Sequence, residues 1–459
     1  MSHRSIRFRV LTLTLPPAPL LLGAALLHIT ITTAIFAAGH FHIFTPTFDD
    51  YGNVVAIAQD TVDHREQAVM LREMLARGDA GAWLREPRSL ALKIYSICFA
   101  LFGRVLGENI LGAEPFNAFC YVAILAVVFN LAGDATTRSA GLIAVGLVAL
   151  WPSFLLHTTQ LLKDPYFILA MLVFVWITQM WLTTVLSWFD ALLLAGAGGL
   201  TAATIWLTRD NAASALLGTL VVGVVMFLVR QISLRRIVKT NLVGMVLMIL
   251  LVLAAAALLP DYSRRTGSQT RAAFEPVKQQ MAQTTVGKLA AFIALRRLRF
   301  LRSYPDAGSN IDSDVQFNTT GDVIRYFPRS VEIGWLAPFP NKWSSSGRLL
   351  SRFGRFLVGI EMIATYLCEA LALYGLWQLR RSPCVWLLFL IAALGMIGLG
   401  YIVVNAGALY RIRYLFLILL LPLTGAGAVQ LTNRLAGGRP NNPAPYLELG
   451  LYFQFPHFR

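Results

Sequence analysis

Two adjacent carboxylates, Asp49 and Asp50, stand about ten residues past the first long apolar run, in Thr45-Pro-Thr-Phe-Asp49-Asp50-Tyr51. A third, Asp164, stands in Leu161-Leu-Lys163-Asp164-Pro165, again where an apolar run meets polar chain. Carboxylates that share a site raise each other's proton affinity, and a carboxylate so tuned can take a proton from a hydroxyl group. The bland alternatives are solvated loop acids for Asp49 and Asp50, and for Asp164 a helix-start acid that complements the helix dipole. On the chemical reading Asp164 positions the base or the acceptor, and Lys163 moderates its charge.

Arginine supplies the opposite half of a site. Arg296, Arg297, Arg299 and Arg302 cluster in one stretch, and Arg209, Arg411 and Arg413 stand at the ends of apolar runs. A planar guanidinium grips phosphate in bidentate fashion, so arginines at this level suit a lipid-phosphate head group. For residues 296–302 the competing reading is a surface helix resting on anionic lipid. His40, His42, His64 and His157 show no metal-ligand spacing, and the pattern leaves dependence on a divalent metal open. No residue pattern calls for an organic cofactor.

These groups need elements to hold them. Of 459 residues, 56% are hydrophobic and only 14% charged, well below the charge of soluble domains. Repeated apolar runs of about 20 residues predict an all-α polytopic membrane protein. Ten spans are expected, near 11–38, 115–132, 139–156, 165–186, 190–207, 212–229, 241–259, 356–378, 383–404 and 414–431. They form one transmembrane domain over 1–431, with a cytoplasmic tail at 432–459. Arg4, Arg7 and Arg9 precede an uncleaved first span and place the N-terminus inside. Pro16 and Pro17 are expected to kink its start. Two long outer loops, 39–113 and 260–355, carry the polar chemistry. In the first, Ala68, Val69, Leu71, Met74 and Leu75 recur at helical spacing among charges, as in a helix lying on the membrane surface. Ser89 to Gly103 is apolar but short, as in a juxtamembrane helix.

The formal net charge is +15. No nucleic-acid recognition motif accompanies it, so basic loops that meet membrane lipids explain the charge, and nucleic acid is excluded as a partner. Cys98, Cys120, Cys368 and Cys384 all lie in apolar segments without Cys-x-x-Cys spacing and read as small buried hydrophobes.

The order of these pieces resembles the GT-C-type membrane glycosyltransferases, in particular the protein O-mannosyltransferase and aminoarabinose transferase branch (glycosyltransferase family 39-like). The similar stretches are Phe48-Asp49-Asp50-Tyr51, then Arg72-Glu73-Met74-Leu75 to Gly78-Asp79, Arg85-Glu86-Pro87 and Leu101-Phe102-Gly103. Pro152, Asp164-Pro165, Asn405-Ala-Gly and Tyr410-Arg411-Ile-Arg413-Tyr414 follow in the same order. The likeness covers roughly 40–210 and 400–430. Asp-Asp replaces the commoner Asp-Glu. Counting back from Arg72-Glu73-Met74-Leu75 would put Asp63 at the family's acidic position in place of Asp49.

The resemblance implies inverting transfer of a sugar from a polyprenyl-phosphate carrier to an extracytoplasmic lipid, glycan or protein. The enzyme would lie in a bacterial inner membrane and work on its periplasmic face. It further implies Asp49 as general base, with Asp50 and Asp164 orienting the acceptor. Tyr51, Arg85, Arg88, Lys163, Arg209, Arg296, Arg297 and Arg411 or Arg413 would contact the substrate. Asp49 or Asp50 is then expected within about 10 Å of Asp164. Two other classes compete. An O-antigen polymerase or ligase would rest on the arginines of 260–355 and use an undecaprenyl-diphosphate-linked glycan. A lipid or glycan transporter would place charges at mid-span, where the sequence shows few.

Overall fold

The fold was analysed in a computed structural model. It describes residues 14–43, 47–55, 60–209, 213–233, 237–259, 284–303, 308–343 and 352–436, with single residues 279 and 305. The basic N-terminal residues 4–9, most of 260–283 and the expected tail from 437 lie outside the described residues. Within them the chain is helical throughout, and two isolated bridges, Phe48 with Val54 and Asn310 with Asn405, are the extended pairings.

Helix α1 (Ala18–His40) is followed by the shorter helices α2 (Asp60–Ala76), α3 (Ala80–Arg85) and α4 (Leu90–Leu106), in the stretch expected as the first outer loop. Then come α5 (Ile110–Ala135), α6 (Arg138–Leu150), α7 (Pro152–Thr158), α8 (Asp164–Thr183), α9 (Trp188–Thr208), α10 (Ala213–Ser233) and α11 (Lys239–Leu258). The second outer region holds α12 (Thr285–Ser303), α13 (Thr320–Arg325) and α14 (Phe327–Leu336). The chain closes with α15 (Arg352–Gln378), α16 (Pro383–Ile402), α17 (Ala406–Ile412) and α18 (Tyr414–Leu435). Nine of these helices are long and apolar enough to cross a membrane, and the bent α6–α7 pair is either a broken tenth span or a re-entrant loop. The protein is an integral membrane protein of the expected all-α class, with nine or ten spans among the described residues where ten were expected.

Local sequence explains most boundaries. Asn109 caps α5 through its side-chain oxygen, which accepts from the Leu111 N–H at 2.8 Å. Thr137 caps α6 and Ser187 caps α9 in the same way, each satisfying an otherwise orphaned amide. Pro165 occupies the first turn of α8, where its missing N–H costs nothing. Pro17 precedes α1 rather than kinking it, because the helix begins only at Ala18.

The third span departs from expectation. Helix α6 has 13 residues and reaches only about 20 Å at 1.5 Å per residue, short of a hydrocarbon core of about 30 Å. At Trp151–Pro152 the chain turns by 65° into α7. Proline removes the amide that would have continued α6. Glu361 of α15 meets the break: it accepts from the Trp151 indole, the Ser153 hydroxyl and, at 3.2 Å, the Ser153 amide. A carboxylate thus caps the exposed start of α7.

The spans are less charge-free than the sequence suggested. Glu114, Glu361 and Glu369 are all buried within them. Glu114 ties α1 to α5: His28 Nδ1 lies 2.7 Å from its Oε1, and the Thr32 hydroxyl donates to its Oε2 at 2.8 Å. His28 Nε2 reaches the Thr158 hydroxyl of α7 at 3.1 Å. Two of the three carboxylates are therefore cross-ties rather than groups lining a path. Glu369 has one oxygen without a hydrogen-bond partner, and nothing in the structure explains it.

Helix α18 is the centre, with 78% of its span buried, whereas α1 is peripheral at 22%. It packs against α15, α6 and α16. Lipid offers no hydrophobic drive for this, so close backbone approach through small residues does the work. A Cβ on Gly375 would collide with the Leu423 carbonyl, and one on Gly427 with the Leu371 carbonyl. Gly427→Ala is therefore expected to lower the thermal denaturation midpoint in detergent by several degrees, matching an overpacking cost of about 1–3 kcal/mol. Gly218→Ala, where a Cβ meets nothing within 4 Å, is expected to leave it unchanged. Equal midpoints for the two variants would contradict this packing.

Candidate active site

The segment between α7 and α8 is held by side chains from four directions. Gln160 accepts from the Val54 amide at 2.9 Å and donates to the Gly52 carbonyl at 3.3 Å. Asn117 of α5 donates to the Gln160 carbonyl at 3.1 Å. Tyr95 of α4 donates to the Leu162 carbonyl at 2.7 Å, and His64 of α2 to that of Leu161 at 2.8 Å. Five short polar contacts fix a stretch that has no regular structure, and Lys163 and Asp164 follow it.

Asp164 opens α8 with its side chain 8% exposed. Arg209, just past the end of α9, donates to its Oδ1. Arg411 of α17 approaches its Oδ2 at 3.6 Å and donates to Asp60 Oδ2 at 2.9 Å. Asp60, Arg411, Asp164 and Arg209 thus form one alternating chain of charge drawn from four elements. They line a cavity of about 320 Å³ together with Lys163, Arg88, His64 and Gln67. Its wall also includes Pro87, Ser89, Leu92 and Thr208. The cavity lies where α8 begins and α9 ends, at the boundary of the apolar spans.

Each contributor is placed by its own packing. Helix α2 lays Ala68 and Leu71 against Leu92, Tyr95 and Phe99 of α4, and Arg72 pairs with Glu108. Arg88 is held by Gln67, to whose side-chain oxygen it donates at 3.1 Å. Arg411 depends on the second outer region. The Ile311 amide donates to the Val404 carbonyl at 2.8 Å, the Ala406 amide to Ser309 at 3.0 Å, and Asn405 caps α17.

Among the sequence candidates, Asp164, Lys163, Arg88, Arg209 and Arg411 are brought together around this cavity. Asp49 and Asp50 are not among the residues that line it. Asp49 holds a tight turn: its carboxylate accepts from the amides of Tyr51 and Asn53 and, at 2.7 Å, from the Asn53 side chain. Asp50 is exposed and lies 3.4 Å from His42. Tyr51 stacks under the Arg65 guanidinium, 3.3 Å from ring centroid to carbon. Arg85 and Asp63 are exposed and outside the wall.

The late arginines are clamps. Arg297 is 2% exposed and donates to the carbonyls of Val315, Tyr401 and Asp312. Arg413 is 1% exposed and donates to those of Trp335 and Ala337. Arg296 lies over the Phe292 ring at 5.2 Å. A buried guanidinium with its donors spent on backbone oxygens secures loops.

Asp60, Gln67 and Thr208 are polar members of the wall that the sequence reading passed over, and His64 was weighed there only as a metal ligand. Asp60 and His64 sit one turn apart at the start of α2, and His64 continues by i+4 and i+7 spacing into the buried stripe of Ala68 and Leu71; that shared face was the available signal. No three His, Cys, Asp or Glu side chains converge on a common point among the described residues.

Four cations face two carboxylates in the wall, so the cavity favours an anion. His64 adds no charge near neutrality: burial first, and then the Lys163 ammonium, hold its pKa down at about 4.

No protein-family model and no curated protein matches the chain. Two solved structures are similar in fold. One is the Archaeoglobus fulgidus oligosaccharyltransferase in the apo form, at 13% identity and a TM-score of 0.47, over 96% of this chain and 55% of that one. The other is the archaeal oligosaccharyltransferase AglB from the same organism in complex with an inhibitory peptide and a dolichol-phosphate. It has the same identity and score, over 94% of this chain and 53% of that one. The chain spans about half the length of these structures.

The His64 shift sets a pH dependence. Its folded pKa of about 4 lies below the ordinary 6.5, so between those values the unfolded chain binds the extra proton and stability falls as pH drops. The slope from this group is at most about 1.4 kcal/mol per pH unit. His64→Gln is expected to flatten thermal stability between pH 6.5 and 4 relative to wild type. An unchanged pH profile in the variant would contradict the buried neutral imidazole.

Proposed function

We propose that the protein is a membrane glycosyltransferase that moves a sugar from a polyprenyl-phosphate carrier to an acceptor hydroxyl at the outer face of the membrane. The observation that carries this reading is the cavity in which Asp60 and Asp164 meet Arg88, Lys163, Arg209 and Arg411 at the end of the spans. Its volume lies within the range of small-molecule sites. Its level suits a ligand whose tail lies in lipid and whose head is anionic. The order of motifs that resembles GT-C enzymes supports the same class.

Burial divides the roles. Asp164 is enclosed between two guanidiniums, whereas the Asp60 side chain is 46% exposed. Asp60 is therefore the carboxylate an acceptor hydroxyl can reach, and it takes the hydroxyl proton. The oxygen attacks the anomeric carbon from the face opposite the phosphate, and the carbon–oxygen bond to phosphate breaks with inversion. The electron pair leaves on the phosphate, whose charge grows from one to two. Arg209, Arg411, Arg88 and Lys163 are arranged to meet that charge. Asp164 holds Arg209 and Arg411 in place for it. Asp49 secures the turn beneath Val54, and so the Gln160 segment. The bacterial inner membrane, with the cavity on the periplasmic side, is the setting that this donor and the basic N-terminal residues favour.

A transfer assay in liposomes checks the reading, using a panel of polyprenyl-phosphate monosaccharides and a membrane extract as acceptor. Wild type is expected to release carrier phosphate with one donor. Asp60→Asn is expected to lose on the order of 10²–10⁴-fold in kcat, and Arg209→Lys to weaken kcat/KM while retaining charge. Asp49→Asn is expected to keep most of its turnover. Full activity in Asp60→Asn with loss in Asp49→Asn would return the base to the 49–50 turn. Release of carrier diphosphate from an oligosaccharide donor alone would replace the reading with a polymerase or ligase.

A further inference from the structure

His64 enters the cavity with its tautomer set. A carbonyl oxygen can only accept, so the contact of Nδ1 with Leu161 at 2.8 Å places the hydrogen on Nδ1 and leaves the lone pair on Nε2. Charged groups approach the ring from every neighbouring element. Asp60 comes from its own helix, Lys163 and Asp164 from the start of α8, Arg88 from the approach to α4, Arg209 from the end of α9 and Arg411 from α17. Burial and the Lys163 ammonium favour the neutral ring, while the Leu161 carbonyl, Asp60 and Asp164 favour the imidazolium.

We propose that His64 takes up a proton when a lipid-linked phosphate enters this cavity and then donates to the phosphate through Nε2. The proposal rests on the phosphate reading above and adds a fifth cation to it. A phosphate seated among Arg88, Lys163, Arg209 and Arg411 offsets the ammonium that opposes protonation. It also supplies an anionic acceptor for Nε2–H. Both changes act in the same direction on the ring. The proton comes from solvent, the new bond is Nε2–H, and the group returns to neutral when the phosphate departs. Because transfer doubles the phosphate charge, the imidazolium is held most strongly by the carrier phosphate left behind. His64 on this account binds the leaving group, while Asp60 handles the acceptor proton.

Calorimetry on the full chain in detergent tests this. The probe is a short-chain polyprenyl methyl phosphodiester, whose single charge does not change between pH 5 and 8. Heats of binding are compared in two buffers of different ionisation enthalpy. Wild type is expected to take up a sizeable fraction of one proton per ligand near pH 6, with affinity falling as pH rises by at most about tenfold per unit. His64→Gln is expected to bind more weakly with no proton uptake and a flat pH profile. His64→Asn serves where that variant fails to fold, with the same expected loss of proton uptake near pH 6. Wild-type binding with no proton uptake would overturn the role of His64 and leave the phosphate site standing. Absence of binding at any pH would overturn both.

Discussion

A single buried carboxylate organises the end of this molecule at which α8 begins and α9 ends. Asp164 lies between the guanidiniums of Arg209 and Arg411, and Arg411 reaches on to Asp60. Removing charges from water is costly, and a buried pair holds only when geometry and further bonds compensate. Here the compensation is shared among four elements: the start of α2, the start of α8, the end of α9 and the turn at α17. None of them can shift without leaving a charge unmatched. The same arrangement keeps two arginines aimed at one cavity before any ligand arrives, the preorganisation that electrostatic catalysis requires.

Behind that cluster stands a scaffold of polar ties inside apolar helices. The break between α6 and α7 would expose amides in a region without water. Glu361 of α15 accepts from the amide and the hydroxyl of Ser153 at the start of α7. Thr158 at its end meets His28, which meets Glu114. The following residues are caught by Tyr95, Asn117 and the turn at 49–54. Bilayer packing through small residues brings helices together without fixing them at the level of an ångström, and these directional bonds supply the missing specificity.

The second outer region plays a supporting part. Arg297 gathers three carbonyls from two segments, 312–315 and 401, Asp312 receives both Tyr326 and Arg329, and the 309–311 strand-like pairing steadies α17. Its link to the chemistry is mechanical, through Arg411. The Arg329 and Tyr326 contacts hold the Asp312 carboxyl below its usual range, as expected of a structural acid rather than a proton carrier. A cavity with an excess of cations, one half-exposed carboxylate and one neutral histidine is suited to binding an anion.

Hydropathy and spacing along the chain were enough to locate nine long apolar helices, the helices around Leu71 and Tyr95, and the placing of Asp164, Lys163, Arg209 and Arg411 at the ends of apolar runs. Those properties are local, since a run of apolar residues or a proline after an acid acts within one or two turns. The tertiary structure decided which carboxylate faces Asp164. Asp49 turned to its own neighbours within four residues, while Asp60 met Arg411 at a separation of 351 residues. It also separated arginines that look alike in sequence. Arg297 and Arg413 were drawn inward by backbone carbonyls, and Arg209 and Arg411 were left on the cavity. A one-dimensional pattern records the type and spacing of a charge. Its partner is chosen by the packing of helices distant in sequence, because a buried charge persists only where that packing delivers its counter-charge.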